Sequence, residues 1–169
     1  MNLLEHRRQL AENPNAYIED LPRLTGTVVG HLKRCGFEKI TTRRGGELIK
    51  KYVDLIFEAQ DNRPLFDVTG ELPYCWNSPK DWSYNYIRYQ WGHLKSRNLN
   101  DAPDFLENLC LQSARCNMHV QTSMDIDEVI AWLKGSAVAD RTLAVLEKRS
   151  ALFESTAWRD LTQALNTFR

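Results

Sequence analysis

The chain has 169 residues and 22 basic side chains against 22 acidic ones, which suits one domain or a compact core with an added subdomain and excludes a global field that would draw it onto nucleic acid. Its apolar and aromatic content excludes a disordered chain. No apolar run approaches the ~20 residues that span a bilayer, and the N-terminus MNLLEHRRQLAENPNAY lacks the apolar core of a signal peptide, so the expectation is a cytoplasmic protein with no membrane partner.

In chain order, Leu3 to Leu10 reads as a short amphipathic helix stopped near Asn13-Pro14. Leu24 to Cys35 reads as a second helix, with Leu24, Val28 and Leu32 in phase and Gly36 as its end. Phe37 to Thr42 (FEKITT) has the composition of a short strand. After the Gly45-Gly46 break, Glu47 to Gln60 forms the clearest helix of this half, with Leu48, Tyr52, Leu55, Ile56 and Ala59 on one face. From Leu65 to Leu111 prolines and glycines punctuate the chain and aromatics cluster between Tyr74 and Trp91. That cluster reads as core rather than as a base-stacking platform.

Tyr84 to Trp91 alternates like a strand, and His93 follows it. Residues 94–107 form a polar loop, and Asn108 to Leu111 a second short strand. Ser113 can cap a helix running to about Met124, with Cys116, Val120 and Met124 as its buried stripe. Asp125 or Asp127 opens a helix through Trp132. Two more helices follow, Ala137 to Phe153 and Thr156 to Phe168, the latter with Thr156 as its N-cap. The four cysteines, Cys35, Cys75, Cys110 and Cys116, form no C-x-x-C pair and read as reduced, buried thiols.

The segment WGHLKSRNLNDAPDFLENLCLQSARCNMHVQTSM, Trp91 to Met124, carries the chemistry. His93 ends a strand, Asn108 opens Asn-Leu-Cys-Leu, and Asn117 follows Cys116 on a helical segment. In order and spacing this resembles the HNH, or ββα-metal, nuclease motif. Asn108-Leu-Cys-Leu-Gln-Ser113-Ala-Arg-Cys116-Asn117 also keeps the frame of the zinc knuckle that many such domains carry, with Ser113 in place of one cysteine. Upstream, Phe66 and Thr69 of Phe66-Asp67-Val68-Thr69-Gly70 stand where the other cysteine pair would be. The resemblance covers roughly Leu65 to Met124.

What the resemblance implies is a mainly helical α+β protein with a small central ββα-metal motif. The organisation would be a helical N-terminal region with a basic segment (1–62), an HNH-like ββα core (63–124) and C-terminal helices packed on it (125–169). His93 would be the general base, since a neutral imidazole can take a proton from water. Asn108 would anchor the loop, because an amide both donates and accepts. Asn117 would ligate one divalent ion, Mg²⁺ or Mn²⁺, with Gln121, His119 or a carboxylate such as Asp67 or Glu71 as further ligands. Three of four knuckle ligands are missing, so no structural zinc is expected. Family members carry Asp or His before the base, and this chain carries Gly92 there.

The partner would be DNA, with RNA as the alternative and a homodimer among the possible assemblies. Lys95 and Arg97 follow the base directly and are placed to contact phosphate. Arg43 and Arg44 lie in a segment, 33–51, with seven basic residues against two acidic ones. The function implied is a metal-dependent DNA endonuclease of a phage, mobile element or defence system. The competing reading is a catalytically degenerate ββα module that binds nucleic acid or a protein, and a helical adaptor is the third.

Overall fold

The computed structural model describes residues 21–61, 64–65, 89–95, 104–113, 116–117, 121 and 124–169. The helix expected at Leu3–Leu10, the aromatic run from Tyr74 to Arg88, Cys75, and the knuckle-like segment with Phe66, Asp67, Thr69 and Glu71 lie outside them. Within the described residues the chain is α+β and mainly helical. Its elements are α1 (Leu21–Arg34), α2 (Gly46–Ala59), β1 (Tyr89–His93), β2 (Leu109–Ser113), α3 (Ile126–Trp132), α4 (Ala137–Glu154) and α5 (Thr156–Leu165). None of these helices is long and apolar enough to cross a membrane.

Helix α2 is the centre. It packs against α1, α4, α5 and β2, which explains why its buried set is wider than the single expected stripe. Ile49, Val53 and Phe57 are buried beside Tyr52, Ile56 and Ala59, while Leu48 and Leu55 are only partly covered. A helix enclosed on several sides carries apolar residues around most of its circumference. One core joins Val28 and Leu32 of α1, Leu109 and Leu111 of β2, Val129 of α3 and Leu161 of α5.

The helix ends follow from local chemistry. Gly36 takes φ 92° after α1. There Phe37 N–H reaches Leu32 O and Gly36 N–H reaches Lys33 O, a left-handed stop that glycine adopts without strain. Asp125 opens α3, and its N–H donates to the Glu128 carboxylate (2.8 Å), one half of a capping box. The cap of α5 is Ser155, whose hydroxyl accepts from Trp158 N–H (3.2 Å). This corrects the expectation of Thr156, which is the first helical residue instead.

Phe37 to Thr42 is not a strand. Among the described residues no second strand lies beside it: Ile40 N–H bonds Phe37 O and Thr41 N–H bonds Arg44 O as in turns, and Lys39 N–H reaches the far end of the chain at Phe168 O. Phe37 and Ile40 are buried all the same, so the apolar residues that suggest a strand are here two anchors packed from a turn.

β1 and β2 form one antiparallel pair, with Trp91 opposite Leu111 and His93 opposite Leu109. β2 begins at Leu109 rather than Asn108, because Leu106–Asn108 is a 3-10 turn. Ser113 ends β2 opposite Tyr89. The outer edge of β2 is closed by a side chain. Gln60 accepts from Leu111 N–H and donates to Leu111 O, both at 3.0 Å, and Leu65 N–H bonds the same carbonyl (2.8 Å). The buried edge thus keeps its polar groups satisfied.

Candidate active site and metal centre

Successive strand residues face opposite sides, and this divides the expected site residues into two groups. Trp91 and His93 share the face of Leu109 and Leu111 that looks onto the helices. There Trp91 meets Phe57 edge-on, with centroids 6.2 Å apart, and the His93 ring lies 5.9 Å from that of His31. Gln90, Gly92, Cys110 and Gln112 share the other face. Asn117 belongs with them, and its amide donates to Gln90 Oε1 (3.0 Å). His93 and Asn117 are therefore not brought together: the hairpin lies between them.

Gly92 explains part of that separation. A Cβ built there would come within 2.6 Å of Gln112 Cδ and 2.9 Å of Asn117 Oδ1. The place where a ligand preceding His93 would project is filled by Gln112. That side chain is fully buried and donates to Gln121 Oε1. Gln121 in turn donates to the carbonyls of His93 (2.7 Å) and Leu94 (3.1 Å). It holds the backbone at His93, and its oxygen is engaged by Gln112.

Asn108 is buried and grips the residue two beyond His93. Its Oδ1 accepts from Lys95 N–H (2.8 Å) and its Nδ2 donates to Lys95 O (3.2 Å). Its own backbone carbonyl accepts from Leu94 N–H (2.9 Å). Asn108 is itself held from below by Arg149 of α4. The Arg149 Nη2 donates to Glu107 O (2.9 Å) and Leu109 O (2.8 Å), the carbonyls on either side of Asn108, while Nη1 donates to Gln60 Oε1 (3.0 Å). Arg149 is buried and its guanidinium lies over the Phe153 ring. A buried cation with no carboxylate in that contact set is costly, which argues that it is kept for what it positions.

Two residues not singled out by sequence meet His93. His31 of α1 is fully buried, and its Nδ1 lies 3.9 Å from Asp104 Oδ2. His93 Nε2 lies 3.8 Å from Asp104 Oδ1. The ligand atoms of all three fall within 4.8 Å of one another, the one such group among the described residues. Burial holds His31 down to about 4, although the Asp104 carboxylate pulls the other way. It is a neutral imidazole at pH 7. Burial pushes Asp104 up, but the hydrogen bond from Arg34 and the charges of His31, His93 and Arg34 together outweigh it and hold the carboxyl below its ordinary value. The Arg34 Nε–Asp104 Oδ2 distance is 2.6 Å.

His31 had one visible sign in the sequence: it stands in phase with Val28 and Cys35 on the apolar side of α1, where a polar residue needs a reason. Asp104 had none, since it sits in a polar loop after a proline. Lys95 is exposed beside the hairpin end, and Arg43 and Arg44 are exposed in the turn before α2. Arg97 and His119 lie outside the described residues. No protein-family model, curated protein or solved structure matches the chain.

Proposed function

We propose that this protein hydrolyses phosphodiester bonds of DNA with a divalent metal ion, as an HNH-like endonuclease. The observation that carries the reading is the grip of Asn108 on the Lys95 backbone. In the ββα-metal arrangement the asparagine pins the loop that follows the histidine, and here two hydrogen bonds run from one amide to that loop. An imidazole held so firmly at a strand end is suited to activating the attacking water. Lys95, and Arg97 after it, would meet the phosphates flanking the scissile bond.

A second reading has its own support. Gln112 occupies the space beside Gly92, and Asn117 is bonded to Gln90, so the side of the hairpin that would hold the family's ion is occupied by amides. That favours a ββα module that binds nucleic acid or protein without cutting it. Incubation of supercoiled plasmid with the purified chain in Mg²⁺ or Mn²⁺, with EDTA as control, separates the two. Metal-dependent nicking or linearisation supports the hydrolase. Retarded plasmid that stays intact with every metal leaves the binding module.

A further inference from the structure

We infer that His31, His93 and Asp104 form a binding site for a first-row transition-metal dication such as Zn²⁺, Mn²⁺ or Co²⁺, held between helix α1 and the end of the hairpin. The site is argued from its donors alone and stands whether or not the chain cuts DNA. It also lies on the opposite face of the hairpin from Asn117, where the family resemblance would put an ion.

Three observations converge. The first is the donor set, two imidazoles and one carboxylate, with Oδ1 of Asp104 facing His93 while Oδ2 is bonded to Arg34. The second is that Nδ1 of His31 has no hydrogen-bond partner within 3.5 Å although the residue is fully buried; it lies 3.9 Å from Asp104 Oδ2, and the backbone of Leu106 is the other polar group that meets the ring. A buried polar atom without a partner carries a desolvation cost that a bound cation removes. The third is the other ring nitrogen of His31. Its Nε2 is 3.5 Å from Cys35 Sγ. In the tautomer that donates Nε2–H to sulfur, Nδ1 keeps its lone pair for an ion, the outer-shell arrangement common to ligating histidines.

Ligand atoms about 2.1 Å from an ion in a tetrahedron stand about 3.4 Å apart. Here His93 Nε2 and Asp104 Oδ1 are 3.8 Å apart, and one ligand atom from each of the three residues falls within 4.8 Å of the others. Side-chain rotations that move the donors by about an ångström or somewhat more would close the site. The side of His93 is the open one, since that side chain is 19% exposed while His31 is 0% and Asp104 5%. A fourth position there would take water. Imidazole donors suit borderline metals and suit Mg²⁺ poorly, because Mg²⁺ prefers oxygen and keeps its own water. Arg34 donates to Oδ2 of the carboxylate and lowers its affinity for a cation. Joined to the hydrolase reading, His93 would act on water through the ion rather than by taking the proton itself.

The test is metal binding by the full chain, stripped with chelator and without DNA. Co²⁺ absorption and competition by Zn²⁺ should show one equivalent bound. On adding Zn²⁺, the imidazole NMR signals of two of the four histidines in the sequence, His31 and His93, should shift together. Asp104→Asn and His31→Gln should each weaken Co²⁺ binding by about a hundredfold or more, and Asn117→Ala should leave it unchanged. The wild-type NMR arm needs no variant and so survives a substitution that unfolds the chain. Absence of binding to Zn²⁺, Co²⁺ and Mn²⁺ overturns the inference. So does binding that ignores Asp104→Asn and His31→Gln but falls with Asn117→Ala. DNA cleavage plays no part in these readouts, so a failed site and a failed hydrolase reading are told apart.

Discussion

Lowering the pH from about 7 to about 5 should cost the protein roughly 2 kcal/mol of stability through His31 alone. The folded state holds this imidazole at about 4, against an ordinary 6.5, first because it is buried and then because His93 and Arg34 repel its charge, with Asp104 opposing them. The folded value is depressed. Between those two values the unfolded chain binds a proton that the folded chain refuses, so the stability is present above 6.5 and is lost as the pH falls toward 4. Comparing protonation in the two states gives a factor of about 30 favouring the unfolded chain at pH 5, against about 1.3 at pH 7. At RT of about 0.6 kcal/mol the difference is close to 2 kcal/mol. Asp104, ionised below the ordinary carboxylate range, contributes little above pH 5. The assay is urea unfolding of wild type and His31→Gln in chelator at several pH values. Wild type should lose the extra stability on acidification and the variant should not. Parallel pH profiles for the two proteins would refute the burial argument for His31.

Three other substitutions probe the scaffold around His93. Asn108→Ala removes both bonds to the Lys95 backbone and should lower stability by about 1–3 kcal/mol in denaturant, with faster hydrogen exchange at the Lys95 amide. Gly92→Ala should cost about 1–3 kcal/mol, because the new methyl meets Gln112 and Asn117. In a Gln112→Ala background that cost should shrink, and a double-mutant cycle reads the coupling. Arg149→Met should lower stability by about 3 kcal/mol, since the carbonyls of Glu107 and Leu109 and the oxygen of Gln60 all lose a donor; calorimetry and denaturant unfolding both report it.

The helices were the legible part of this chain. α1, α2 and the C-terminal three are marked by apolar residues in helical phase and by local end signals, Gly36 as a stop and Asp125 as a start, which depend on neighbouring residues only. Strand edges were less legible. Asn108 looks like the start of a strand because Leu-Cys-Leu follows it, yet its side chain is committed to Lys95, and that bends the backbone into a turn first. FEKITT has strand composition but no partner strand among the described residues, and pairing is a tertiary property. His93 and Asn108 could be found because the features they carry lie within one short segment. Asp104 could not, and His31 showed only as a polar residue on the apolar side of a helix, because α1 and the hairpin reach each other only through the fold. The side of the hairpin on which Asn117 lies was likewise invisible, since strand register decides it.

The most direct test of the central reading is the single-turnover rate of cleavage of a labelled DNA duplex by wild type and by His93→Ala, at saturating protein in Mn²⁺. If His93 activates the attacking water, the variant should bind DNA like wild type and cut about 10²–10⁴-fold more slowly. Equal rates for the two proteins would contradict it.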